Sequence, residues 1–317
     1  MASTSVQFSA PGKIILFGEH AVVYKRPAIA VPVTQVRATA TVEPAPSGSG
    51  LMLIAVDLDE RISLAAASQD EPLAAAARLT LDHLSVSEPD ADLTISSTIP
   101  IASGLGSGAA VSTALVRALA GFLGHALEPA EIGALVFEVE KIHHGTPSGI
   151  DNTVIAYEQP VYFVRGRPIE RLAVSEPFTL LIGDTGKPSS TGKIVGRVRR
   201  RWQRQPARYD ALFDQIGDIA DEARQAIESG DVEAMGPLMD ENHKLLIELG
   251  ISSPQLDELV ETARLAGAMG AKLSGAGGGG NMIALVEDDF TKEVADALKE
   301  AGAARVICTR VGGLVDR

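Results

Sequence analysis

Three glycine-marked segments and two carboxylates carry the side chains that could do chemistry in this chain of 317 residues. The first segment sets Lys13 directly after Pro11-Gly12 and the pair Glu19-His20 directly after Gly18. The second, Ser103-Gly104-Leu105-Gly106-Ser107-Gly108, stands between a strand pattern and a strong helix pattern. Glycines let such a backbone turn its N–H groups inward, and a helix start adds partial positive charge, so the segment can cradle a phosphate. No Lys-Ser/Thr pair follows the glycines, so this is not a Walker A loop. A plain strand-to-helix turn is the alternative reading of the same residues.

The third segment, Lys272 to Gly280, carries five glycines in the six residues from Gly275 onward: Gly275, Gly277, Gly278, Gly279 and Gly280. Gly275, Gly277 and Gly280 also satisfy a formal G-x-G-x-x-G, but a dinucleotide fold needs a helix to follow. Asn281 to Val286 follows instead and reads as a strand, which rejects that fold. The glycine density exceeds what a hairpin needs, and close approach to a ligand or another loop explains it better.

The elements around these segments are legible from periodicity. Val6–Ala10, Ile14–Phe17, Ala28–Val33 and Thr34–Val42 read as strands, and Pro44–Gly50 as a turn. Leu73–Leu84 reads as a helix and Leu93–Ile99 as the strand entering the second glycine segment. Val111, Leu115, Ala118, Leu119 and Phe122 recur at helical spacing, and a further helix covers 129 to 143. On that helix Ile132, Leu135, Val136, Val139 and Ile142 form the apolar face, with Glu140 at its edge. A carboxylate there is costly unless paired or bound to a metal, whereas a lone helical Glu is ordinarily solvated. Val154–Val164 is predicted to return to strand, which leaves Asp151 in a loop. Strand 178–182, a helical stretch over 190–249 and helix 254–266 follow, then strand 282–286, helix 291–301 and strand 305–311. Strands and helices do not alternate one for one, which predicts an α+β fold with two domains, 1–178 and 179–317.

Composition narrows the function. An apolar share of 45% with 22% charged residues supports a sizeable core. A formal net charge of -13 disfavours nucleic acid and anionic membranes as partners. The single cysteine, Cys308, permits no intramolecular disulfide, and the sequence has no apolar run of spanning length, so the expected compartment is cytoplasmic. The basic run Lys193, Arg197, Arg199, Arg200, Arg201 and Arg204 reads as a solvated helix face. His143 and His144 read as structural, because no second ligand pair accompanies them at metal spacing.

Taken in order, the segments Pro11–Tyr24, Gly104–Ser107 and Lys272–Gly280 resemble the three signatures of the GHMP kinases. The run His144-Gly145-Thr146-Pro147-Ser148-Gly149-Ile150-Asp151-Asn152 is similar to a fourth block. Glu19-His20-Ala21-Val22-Val23 with Pro27-Ala28-Ile29-Ala30 is similar to the branch that phosphorylates mevalonate. Galactokinases usually place Thr-Asp after Glu-His, and phosphomevalonate kinases tend to Glu-Tyr.

The resemblance implies a ribosomal-protein-S5-like N-terminal domain, a ferredoxin-like C-terminal domain and a homodimer. It implies ATP as co-substrate, with its phosphates on Ser103, Gly104, Leu105, Gly106, Ser107 and Gly108, and Mg²⁺ on Ser107 and Glu140. Asp151 would be the catalytic base and Lys13 the electrostatic stabiliser. Lys13, Glu19, His20, Asp151 and Thr191 would contact the substrate, mevalonate, beside a hydroxyl-rich loop formed by Thr185, Ser189, Ser190 and Thr191. The departure from the pattern is Gly108, where many relatives carry a second serine. The alternatives are a kinase of phosphomevalonate or homoserine, a decarboxylase of the superfamily, or a metabolite sensor without turnover.

Overall fold

The computed structural model describes residues 4–100, 103–144 and 147–313, without the side chains of His143 and His144. The reading of those two histidines therefore lies outside the described residues. The chain opens with strands β1 (Val6–Phe17), β2 (Ala28–Pro44), β3 (Leu51–Ala55) and β4 (Glu60–Ser63). Helix α1 (Pro72–Leu84), strand β5 (Ala91–Ser97) and helices α2 (Ser107–Phe122), α3 (Pro129–His144) and α4 (Ile150–Tyr157) follow. Next come β6 (Val161–Phe163), β7 (Glu170–Arg171), β8 (Phe178–Asp184), α5 (Thr191–Arg204), α6 (Pro206–Ser229), α7 (Val232–Glu248) and α8 (Pro254–Leu265). The chain closes with β9 (Gly270–Ser274), β10 (Asn281–Val286), α9 (Thr291–Glu300) and β11 (Arg305–Val311). The mixture of separated helices and largely antiparallel strands is the α+β class predicted.

Two compact units emerge. The first holds the chain up to Gly12, Val36–Pro100 and Gly106–Glu158; the second holds Lys13–Gln35, Ile101–Leu105 and the chain from Gln159 onward. In the first unit β5 pairs antiparallel with β2 from Ala38 to Pro44 and parallel with β3, which pairs antiparallel with β4. Burial alternates along this half of β2, the period-two pattern of a half-buried strand. Helices α1 to α4 form the unit's helical part, and α2 buries most of its residues, from Ala109 and Ala110 to Leu119 and Ala120. Each fully buried Leu, Ile or Val contributes roughly 1.5–3 kcal/mol.

In the second unit the antiparallel order is β11-β8-β10-β9. Every residue of β10 is buried, so both faces of this central strand are covered. Helix starts are fixed locally: Asp231 accepts from Ala234 N–H ahead of α7, and Ser253 accepts from Leu256 N–H ahead of α8 with Pro254 next.

Three sequence expectations need correction. The segment 150–157 is helix α4, and strand character is confined to Val161–Phe163. Its β-branched residues resemble a strand locally, but Ile150, Val154 and Ile155 are buried against α2 and α3, and Asn152 Nδ2 donates to Gly133 O at 2.8 Å. Tertiary packing overrides propensity here. Asp151 consequently lies in the first turn of a helix, not in a loop. Strands β3, β4 and β9 form where no strand was predicted.

Candidate active site

From Lys13 onward the first glycine segment belongs to the second unit, and it ends in a strained turn. Gly18 has φ 92° and His20 φ 61°, a region that L side chains adopt only when their surroundings enforce it. The third segment supplies that enforcement. His20 Nε2 lies 3.0 Å from Ala276 O, and Ser274 Oγ donates to Ile15 O at 2.7 Å. A carbonyl only accepts, so Nε2 carries the hydrogen and Nδ1 is the acceptor. Burial lowers the His20 pKa, and the Ala276 carbonyl opposes that shift, so the ring is neutral at pH 7.

Behind His20, the Lys272 ammonium donates to Glu19 Oε1 and, at 2.9 Å, to Leu273 O. Both side chains of this pair are 0% exposed. Burial pushes the Glu19 carboxyl up and the Lys272 ammonium down, and the charge of each partner opposes the other's shift. Lys13 is also buried, and its charge favours ionised Glu19. The sequence pattern gives Lys272 no role beyond leading into the third glycine segment. In the structure Lys272 lies between Ala271 and Leu273 in the fully buried strand β9, where an ammonium needs a partner.

The glycine-rich turn serves close approach between loops. Gly280 has φ 72°, and a Cβ there would stand 3.0 Å from Ser103 O. Asn281 Nδ2 also donates to Ser103 O at 2.8 Å, so the third segment grips the start of the phosphate segment. Lys13 N–H donates to Leu105 O of the same segment at 2.9 Å. Of the predicted hydroxyl-rich loop, Ser189 Oγ donates to Gly277 O at 2.7 Å and Thr185 Oγ1 to Gly280 O at 2.9 Å. Those two hydroxyls support the glycine turn, whereas Thr191 is exposed at the start of α5. On α5 the basic run is an exposed face, with Ile194 and Val198 turned inward.

The first unit carries the remaining predicted residues. Gly106, with φ 75°, is the N-cap of α2 and offers no side-chain cap to its first-turn N–H groups, where the helix dipole is positive. Glu140 on α3 is buried beside this turn: a Cβ at Gly108 would stand 3.3 Å from its Oε1. A buried carboxylate beside Gly108, the residue that follows Ser107 at the start of α2, offers hard oxygen donors. That set fits Mg²⁺, which uses one or two protein ligands, water and phosphate. Among the described residues no group of three or more His, Cys, Asp or Glu gathers around one point. Asp151 occupies the first turn of α4, whose N-cap Gly149 also brings no side-chain cap.

Family models for the GHMP kinase N-terminal domain and C-terminal region match residues 72–159 and 223–304. The chain belongs to the GHMP kinases. A mevalonate kinase of Pyrococcus horikoshii is 38% identical over 96% of this chain and 94% of its own. Within the class, the chain belongs to the mevalonate kinase family. Two solved structures are similar throughout. The L. major mevalonate kinase in complex with R-mevalonate has a TM-score of 0.85 at 30% identity, covering 98% of this chain and 97% of that one. The Methanococcus jannaschii mevalonate kinase has a TM-score of 0.83 at 28% identity, covering 99% and 100%.

Proposed function

We propose that this chain transfers the γ-phosphoryl group of ATP to the 5-hydroxyl of mevalonate, releasing 5-phosphomevalonate and ADP. The observation that carries the reading is the 38% identity to a mevalonate kinase over 96% of the chain. The Glu19-His20-Ala21-Val22-Val23 run supports it.

Phosphoryl transfer asks the protein for positioning and charge neutralisation more than covalent chemistry. Backbone N–H groups from Gly104 to Gly108 hold the ATP phosphates, an assignment supported by the uncapped start of α2. Ser107 and Glu140 hold Mg²⁺, which when bound neutralises phosphate charge. Asp151 takes the proton of the attacking hydroxyl as its oxygen bonds to phosphorus and the bond to ADP breaks. Lys13 stabilises the charge on the developing alkoxide and the transferring group. Glu19, His20 and Thr191 join Lys13 and Asp151 on the substrate. The functional domains are 1–178 and 179–317, the assembly is a homodimer and the compartment is the cytoplasm. The described residues include no helix long and apolar enough to cross a membrane. An ADP-release assay with mevalonate tests the activity, and light scattering tests the dimer.

A further inference from the structure

Lys272 and Glu19 are 253 positions apart, fully buried and joined as an ion pair. A buried pair is weak evidence for stability, since desolvation offsets much of the attraction, so its presence calls for another explanation. Three features point to position. Glu19 directly precedes His20, whose strained backbone needs external support. The same strand and turn that carry Lys272 also hold His20 through Ala276 O and Ile15 O through Ser274. Finally, Glu19 Oε2 is buried with no hydrogen-bond partner among the described residues, so the carboxylate is tied at one oxygen only.

We propose that Lys272 is a positioning residue for the acceptor side of the reaction, acting through Glu19 to hold the turn that presents His20. Lys272 itself does not touch the substrate. The fully buried pair replaces solvent contact with a fixed reference between the first and third glycine segments. Loss of Lys272 releases Glu19 to seek another donor and frees the strained turn. The acceptor then binds and aligns poorly, while the ATP phosphates, held by backbone groups elsewhere, are unaffected. This inference rests on the proposed phosphoryl transfer, in which His20 and Glu19 serve the acceptor.

A double-mutant cycle on kcat/KM tests it, using Lys272→Met, Glu19→Gln and the double variant, with the unfolding midpoint recorded for each. Each single variant is expected to lose about tenfold or more in kcat/KM for the acceptor, with KM for ATP within twofold of the parent. Lys272→Met is expected to cost nothing further once Glu19→Gln is present. Should Lys272→Met alone fail to fold, the double variant lacks the uncompensated charge and is compared with the parent: a loss of about tenfold or more in kcat/KM for the acceptor with KM for ATP unchanged supports the proposal, and parental kcat/KM overturns it. Parental kcat/KM in a folded Lys272→Met protein, additive losses, or a rise in KM for ATP equal to that for the acceptor overturns the proposal. The parent's own acceptor preference decides the proposed function separately, and the cycle is run with whichever acceptor the parent uses.

Discussion

Gly108 and Glu140 face each other so closely that a Cβ at position 108 would stand 3.3 Å from Glu140 Oε1. The place where many relatives carry a second serine is therefore the place next to the buried carboxylate proposed to hold Mg²⁺. A carboxylate tip can yield by a few tenths of an ångström, and a serine hydroxyl there adds an oxygen beside it. Gly108→Ser is expected to stay active with an unchanged or lower Mg²⁺ midpoint. Gly108→Leu displaces Glu140 and is expected to raise that midpoint. Magnesium titrations of ADP release check both, and identical midpoints in parent and Gly108→Leu would separate position 108 from the metal.

Ser107 has no neighbouring hydroxyl to replace it, because the next residue is glycine. Losing a hydrogen-bonding group to a charged partner is worth roughly 1.5–3 kcal/mol, which corresponds to a shift of about tenfold or more. Ser107→Ala should show that shift in its Mg²⁺ response. A parental response would leave Glu140 and water as the ligands.

Asp151→Asn keeps the shape of the α4 start and removes the proton acceptor. General-base catalysis typically contributes about 10²- to 10⁴-fold, and a loss of kcat in that range is expected with ATP affinity nearly intact. Turnover within a few-fold of the parent removes Asp151 from the chemistry. Lys13→Met should lose about 10²- to 10³-fold in kcat, the range of a lost charge-stabilising donor, with some loss of ATP affinity. Unchanged kinetics would make Lys13 a structural lysine.

How much of this was legible beforehand depended on distance along the chain. Helix α2 and the phosphate segment could be read because Leu115, Ala118 and Leu119 repeat locally and the glycines precede them directly. Glu140 could be read as a costly carboxylate from Val136 and Val139 on the same helix. Helix α4 was misread because Thr153, Val154 and Ile155 favour strands, and only contact with α2 and α3 decides otherwise. The Lys272–Glu19 pair was beyond reach for a plainer reason: no local period links residues 253 positions apart.

His243 gives a prediction about stability. Burial, with the Arg264 charge next, lowers its pKa from 6.5 to about 4. Its Nδ1 accepts from Leu273 N–H at 3.3 Å, which requires that nitrogen to be unprotonated. The unfolded chain therefore takes up the proton first as the pH falls. The stabilisation is complete above about pH 6.5 and is lost as the pH drops toward 4, by about 3 kcal/mol at the lower end. Denaturant unfolding of the parent and of His243→Gln at pH 7 and pH 4 checks this. The variant should lose less stability over that interval, and equal losses would show that His243 does not contribute.

The most direct test of the central claim is a coupled ADP-release assay on the purified protein, run in parallel with mevalonate, phosphomevalonate, homoserine and galactose. The proposed reaction predicts the highest kcat/KM with mevalonate, abolished by chelating Mg²⁺. A higher kcat/KM with another acceptor would contradict the substrate while leaving a kinase. ATP binding without ADP release on any of the four would contradict the transfer reaction itself and favour a metabolite sensor.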